Sequence, residues 1–202
     1  MGSPVKTDYH RVYSAVCLAS HRGSQAAQLC VGMVVIIASC AICRSAQAQT
    51  LNEYEAKAAF LFNFLKFVDW PAQAFADDNA PLVIGIVGDD KSSERIEQLV
   101  SGKSANGRQV VVKRFPSFKQ LTYCHLVFVR ASERERLPQN LSAVRSGSLI
   151  VGESESFARW GGAINFSIKD GKISLEINQK SAERAGLKIS AKLLSIARIV
   201  KD

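Results

Sequence analysis

Beyond residue 48 the sequence contains a single cysteine, Cys124, and a single histidine, His125. That scarcity excludes an intramolecular disulfide from this part of the chain. It also excludes a zinc site, because one thiol and one imidazole fall short of the three or four protein ligands zinc takes. The two residues are adjacent at the start of the apolar stretch 124–129. Consecutive strand side chains point to opposite faces, so they cannot form a hydrogen-bonded nucleophile–base pair. Cys124 is then either buried in the core, as its apolar surroundings suggest, or available for an intermolecular bond, and His125 reads as a structural histidine at a strand start.

Other catalytic signatures are missing too. Gly102-Lys103-Ser104 looks like the end of a phosphate-binding loop, but the glycine needed five positions earlier is Glu97, and the segment follows a helical pattern rather than a strand. Gly85 and Gly88 lack the third glycine of a dinucleotide fingerprint, and no serine sits in a G-x-S-x-G elbow. Asp89-Asp90 follows a strand, where α/β proteins place ligands, yet no third carboxylate or basic partner accompanies it at a matching strand end. The pair reads as turn and N-cap chemistry ahead of Ser92. The expectation is a protein that is not an enzyme and takes no metal or cofactor.

No basic block is present either. Four of the 26 Lys and Arg residues and one of the 18 Asp and Glu residues lie before residue 49, which leaves a net charge of +5 spread over the rest. So modest and dispersed an excess is a solvated surface, not a nucleic-acid footprint.

Only one long charge-free apolar run occurs, LCVGMVVIIASCAI at 29–42. It is short for a bilayer span of roughly 20 residues. Arg11 and Arg22 precede it and Ala46-Gln47-Ala48, an A-x-A cleavage pattern, follows. Residues 1–48 are accordingly expected to be a secretory signal peptide, and residues 49–202 one domain of ordinary size. A retained membrane anchor is one alternative. Lipidation at Cys40, within Ile37-Ala38-Ser39-Cys40, is another.

Residues 53–70 read as a helix with Tyr54, Ala58, Leu61, Leu65 and Val68 on one stripe and Phe60, Phe64 and Phe67 on a second, which predicts burial on more than one side. Strands are predicted over 82–87, 109–114, 126–129 and 148–151, alternating with helices from 92 or 93 to 100, over 133–144 and around 156–160. Asn178 can cap a helix running to Ala185 and stopping at Gly186, and Ser190 can cap a last helix over 191–200. Strands alternating with helices argue α/β: a single domain with a mixed β-sheet covered by helices on both faces.

The clearest local signal is 157–178, FARWGGAINFSIKDGKISLEIN. Asp170-Gly171 suits a type I′ turn, and period-2 alternation on both sides makes a β-hairpin near the C-terminal third of the chain. Counting outward pairs Lys169 with Lys172, Ile168 with Ile173, Phe166 with Leu175 and Ile164 with Ile177, all apolar pairs on one face. The other face carries Ser167 opposite Ser174 and Asn165 opposite Glu176. Asn165, Glu176 and Asn178, ringed by Phe157 and Trp160, form a polar patch with aromatic anchors that suits a docking surface.

From Tyr54 onward the chain resembles the YfiR/HmsC-like family of periplasmic proteins. The matching segments are YEAKAAFLFNFLKFVDWP at 54–71, the strand ending in Gly88, Gly107-Arg108, Cys124-His125, Phe157-Ala158 with Gly161-Gly162, Ile164-Asn165-Phe166, Leu175-Glu176-Ile177-Asn178, Ala182, Gly186-Leu187, Ser190 and Leu193-Leu194. The resemblance implies a periplasmic, often dimeric regulator. It would bind the periplasmic sensor part of an inner-membrane diguanylate cyclase and restrain it, lowering cyclic-di-GMP and biofilm formation. An outer-membrane lipoprotein with a peptidoglycan-binding module would relieve the restraint. Some members carry disulfide-forming cysteine pairs, which the lone Cys124 does not match. Leu187 and Leu193 complete the candidate partner-binding set with Phe157, Trp160, Asn165, Glu176 and Asn178. The alternative from another class is a small-ligand sensor or carrier, its pocket lined by Phe157, Trp160 and parts of the first helix.

Overall fold

The computed structural model describes residues 53–201 except 89, 90, 141–143, 145 and 170. The leader, the Asp89-Asp90 turn and Asp170 of the hairpin loop thus lie outside the described residues. Residues 53–67 form helix α1. The strands are β1 (Val68–Asp69), β2 (Leu82–Val87), β3 (Ser104–Ala105), β4 (Arg108–Phe115), β5 (Leu126–Val129), β6 (Leu149–Gly152), β7 (Ile164–Lys169), β8 (Lys172–Ile177), β9 (Lys188–Ile189) and β10 (Arg198–Ile199). Between them lie helices α2 (Lys91–Val100), α3 (Leu137–Asn140), α4 (Gln179–Arg184) and α5 (Ala191–Leu194).

Eight strands make one sheet in the order β10-β8-β7-β6-β5-β2-β4-β3. From β4 across to β7 all neighbours are parallel, β8 returns antiparallel to β7, and β10 lies parallel to β8. This is the single mixed α/β domain that the alternation of elements predicts. The inner strands LVIGIV, LVFV and LIVG are almost continuously apolar because both of their faces are covered. One face sends Ile84, Ile86, Leu126, Phe128, Leu149 and Val151 into a cluster that also receives Leu61, Ile96, Ala182 and Leu193 from the helices. The other packs Val87, Val127 and Val129 with Phe115, Phe118, Cys124 and Phe157, and is closed by the 3-10 turn Phe118–Gln120 and the loop 153–162.

Helix α1 buries Ala58, Leu61, Phe64 and Leu65. Its Phe60 and Phe64 rings meet Phe166 of β7 at 6.0 and 5.8 Å between centroids. At roughly 1.5–3 kcal/mol for each large apolar side chain buried, this seam accounts for the helix better than propensity does. The helix ends three residues before the expected Trp70. Val68 and Asp69 leave it to pair with Ile189 and Lys188, a two-stranded ribbon that no local pattern announces.

The hairpin has the predicted register throughout, from Ile164↔Ile177 to Lys169↔Lys172, and Gly171 takes φ 71°. Its burial departs from expectation on both faces. Ile168, near the tip, is 65% exposed because the hairpin extends past the helices that cover Phe166 and Leu175. Asn165, expected on an outer face, is 2% exposed.

At the C-terminus Asn178 and Ser190 cap α4 and α5, accepting from the backbone N–H of Ser181 and Leu193, and Gly186 follows α4 with φ 78°. The expected helix over 191–200 stops at Leu194. Arg198–Ile199, with β-branched neighbours suited to extended backbone, instead pairs with Glu176–Ile177, and Val200 N–H donates to the Ile177 carbonyl at 2.8 Å. Of two other expected helices, the one over 133–144 is present only in part and the one around 156–160 is replaced by turns. Residues Ala131–Arg136 form a 3-10 segment leading into α3, and 155–161 is a run of turns in which Ser156 has φ 63°.

Candidate functional site

Parallel strands end in loops on one edge of the sheet, and that edge gathers charge. Arg130 directly follows β5 and Glu153 directly follows β6. Glu153 Oε2 accepts from Lys57 Nζ of α1 at 2.8 Å and from Arg130 Nη1 at 3.1 Å, while Oε1 accepts from Ala131 N–H at 3.1 Å. Glu53, one turn before Lys57, also pairs with its ammonium. The Lys57, Arg130 and Glu153 side chains are all nearly enclosed. Burial alone would lower the Lys57 pKa, but the charge and hydrogen bond of Glu153, joined by those of Glu53, hold it above the ordinary lysine value. The Arg130 guanidinium lies 5.6 Å from the Tyr54 ring centroid and 5.5 Å from that of Phe128. These groups form a wall in which every charge has a partner, so the network fixes the strand ends and α1 relative to one another.

That wall bounds a cleft of about 630 Å³. The cleft continues past Ser154, Ser156 and Arg159 to Asn165, Glu176 and Arg198 on β7, β8 and β10, with Tyr54, Ile173 and Val200 as apolar lining. Asn165 Nδ2 donates to Glu176 Oε2 at 3.2 Å, and Arg198 forms an ion pair with the same carboxylate. Asn165 Oδ1 and Ser154 Oγ are buried without a partner among the described residues.

The seven residues expected to meet a partner separate sharply. Asn165 and Glu176 line the cleft. Trp160 is 42% exposed. Phe157, Asn178, Leu187 and Leu193 are enclosed and offer no surface in this conformation. Phe157 fills the space between Gly152 and Gly162, where an added Cβ would lie 2.3 and 2.1 Å from its ring. Asn178 is occupied by its cap and by donation to the Ala158 carbonyl at 2.8 Å. Leu187 and Leu193 belong to the main core. Reasoning from sequence missed Lys57, Arg130, Glu153, Ser154 and Arg198. The usable signal was a charged residue immediately after an apolar strand run, as at Val129-Arg130 and Gly152-Glu153, weighed above only for Asp89-Asp90.

Cys124 packs among Phe115, Phe118 and Val127, whereas the His125 ring lies against Trp70, Phe75 and Tyr123. Burial, partly offset by the charge of Lys113, raises the Cys124 pKa to about 11. His125 Nδ1 accepts from Val83 N–H at 3.0 Å, so the proton sits on Nε2, which donates to the Ala74 carbonyl at 3.1 Å. The ring stacks on Phe75 at 4.7 Å and meets Tyr123 edge-on at 5.2 Å. Burial, with Arg108 nearby, lowers its pKa despite the Ala74 hydrogen bond. Among the described residues no group of three or more His, Cys, Asp or Glu side chains is placed to hold a metal ion.

Residues 54–198 match the YfiR/HmsC-like family. The chain belongs to that family. No curated protein matches this YfiR/HmsC-like chain. Among solved structures it is similar to a conserved domain protein from Vibrio cholerae O1 biovar El Tor, at 14% identity and a TM-score of 0.44 over 60% of this chain and 55% of that one. It is also similar to an ABC domain in complex with L-Trp from Streptococcus pneumonia, at 16% identity and a TM-score of 0.46 over 58% and 55%. The chain thus spans about half the length of both.

Proposed function

We propose that this YfiR/HmsC-like domain is a periplasmic negative regulator. It binds the periplasmic part of an inner-membrane diguanylate cyclase, holds it inactive, and so keeps cyclic-di-GMP and biofilm formation low. The observation that carries this reading is the family match over 54–198. In the same reading residues 1–48 are a cleaved signal peptide, 49–202 is the working domain, the domain is a homodimer, and an outer-membrane peptidoglycan-binding lipoprotein competes for it. Among the described residues no helix is long and apolar enough to cross a membrane.

The surface suits contact with protein. Trp160, Ile168, Ile196 and Ile199 are the exposed large apolar residues among those described, with Ile168 on β7 and Ile199 on the edge strand β10. A regulator acts by binding one state of its target more tightly than the other, and that difference sets how far it shifts the balance. Capture from envelope extracts with the full chain as bait tests the proposal: a membrane protein carrying a diguanylate cyclase domain is expected in the bound fraction, and its absence there counts against the reading. The cleft favours a second reading, a small-ligand sensor, in which Asn165 and Glu176 serve a ligand rather than a partner.

A further inference from the structure

The segment 71–80, between β1 and β2, is fastened to the sheet by side chains. Among the described residues its backbone N–H groups close only its own turns: Ala74 donates to the Pro71 carbonyl at 2.9 Å, Phe75 to Ala72 at 3.1 Å, Ala80 to Asp77 at 3.2 Å, and Asn79 to the Asp77 carboxylate at 2.8 Å. Two residues of the sheet hold it down. His125 Nε2 donates to the Ala74 carbonyl at 3.1 Å, and its ring stacks on Phe75 at 4.7 Å. Arg108 of β4 donates to the Asp77 and Ala80 carbonyls at 3.0 and 2.7 Å, and its guanidinium lies 3.9 Å from the Phe75 ring centroid. A segment with few buried side chains and so few fastenings opens at a lower free-energy cost than the strands beneath it.

His125 cannot take a proton without disturbing this clasp. Its Nδ1 accepts from Val83 N–H at 3.0 Å, and in the imidazolium that nitrogen becomes a donor facing a donor. The backbone of His125 is locked in the sheet: its N–H donates to the Val83 carbonyl at 2.9 Å, and its own carbonyl accepts from Leu149 N–H at 2.8 Å and from Trp70 Nε1 at 3.1 Å. Only the ring can move, and it is walled by Trp70, Tyr123 and Phe75. Trp70 is tied to the His125 carbonyl, and the Tyr123 hydroxyl donates to the Gly147 carbonyl at 3.4 Å. The Phe75 wall belongs to the segment that lacks a backbone tie to the sheet, so it is the wall that yields.

No carboxylate near the ring compensates a positive charge there. Arg108 approaches from β4 and adds a second cation, and Tyr123 is the titratable group ahead of β5. Asp77 is turned to its own Asn79 amide, and Asp69 shares the smaller of two cavities with Arg108. Burial, with Arg108 nearby, keeps the His125 pKa below 6.5 while the segment is closed. An opened segment lets water reach the ring, so the open form binds the proton more readily and opening is favoured as the pH falls below about 6.5. Phe75 lines both cavities, one of about 180 Å³ with Trp70, Leu82 and Arg108, the other of about 460 Å³ with Tyr123, Gly147 and Gly186.

We propose that residues 71–80 are an acid-released strap: protonation of His125 lifts the segment off the sheet and uncovers Trp70 and the floor of both cavities while the strands stay paired. The inference rests on the fold alone and stands whether or not the chain restrains a cyclase.

Amide hydrogen exchange of the full chain, followed by NMR from pH 7.5 to 5.5, tests it. The protection factors of Ala74, Phe75, Ala80 and Val83 should fall as the pH drops below about 6.5, by at most about tenfold per pH unit, while those of β5 and β6 hold. His125→Gln cannot titrate and should show the same strap protection at both ends of the range. Arg108→Gln removes the second half of the clasp and should lower protection of the same four amides about tenfold or more at pH 7.5, again sparing β5 and β6. Should His125→Gln not fold, the wild-type midpoint decides: it coincides with the titration of the His125 ring, or the proposal fails. Strap protection indifferent to pH overturns it. So does a fall shared equally by β5 and β6, a fall that persists in His125→Gln, or a strap unmoved by Arg108→Gln.

Discussion

Asn165 and Glu176 stand directly opposite each other across the β7–β8 hairpin, and the amide of one donates to the carboxylate of the other at 3.2 Å. Glu176 is also the partner of Arg198 on the edge strand β10. One carboxylate thus joins three strands and faces the cleft.

This arrangement decides what Glu176→Lys will do. The new ammonium faces Arg198, and the Asn165 amide loses its acceptor, so a stability loss of about 1–3 kcal/mol is expected by denaturant titration. Unchanged stability would show that the hairpin pair is not coupled to β10. Trp160→Ala is the cleaner probe of docking. Its exposed ring can be removed at a cost below about 1 kcal/mol, so reduced capture of the proposed cyclase partner by that variant reports contact rather than unfolding.

Gly162 and Gly152 enclose Phe157 tightly enough to predict a large effect of one methyl group. Gly162→Ala puts a Cβ 2.1 Å from the Phe157 ring, which is backed on its other side by Gly152. With no flexible neighbour to yield, a loss of about 3 kcal/mol or more is expected. For a domain of this size that corresponds to a fall of about 6–12 °C in melting temperature, measured by circular dichroism. A variant that melts with the wild type would show that the ring turns aside freely.

His125 gives the fold an acid sensitivity. Its pKa lies below the ordinary 6.5 in the folded chain because burial disfavours the imidazolium, and Nδ1 cannot accept from Val83 once protonated. The unfolded chain therefore binds the proton more readily. Stability is full above about pH 6.5 and declines as the pH falls below it, levelling off under the folded pKa, with a slope of at most about 1.4 kcal/mol per pH unit. Arg108, whose guanidinium lies over the Phe75 ring that stacks on His125, adds to the penalty. Unfolding measured from pH 7.5 to 5 should show this slope in the wild type and lose it in His125→Gln. Parallel pH profiles would assign the acid sensitivity to other groups.

The parts of the fold legible in the sequence are those specified within a few residues. Asp170-Gly171 and the alternation around it define the hairpin register, and Asn178, Gly186 and Ser190 mark helix ends by side-chain capping and a positive φ. The apolar runs at 82–87 and 126–129 coincide with β2 and β5. What escaped depends on distant partners. Val68–Asp69 is extended only because Lys188–Ile189 lies beside it. Residues 198–199 are a strand only because the edge of β8 is free to receive them. The cleft escaped for the same reason: Lys57 and Glu153 are 96 positions apart in the chain, and only the stacking of parallel strands brings β5 and β6 to end beside α1. Phe157 and Asn178 read as surface residues because nothing local reveals the paired glycines around the one or the loop carbonyl awaiting the other.

Whether the chain restrains a diguanylate cyclase, as proposed, is read from the cellular cyclic-di-GMP level after deletion of the gene and after its restoration. The level is expected to rise on deletion, with increased biofilm formation, and to return when the full chain is supplied. A level unchanged by deletion would contradict the proposal.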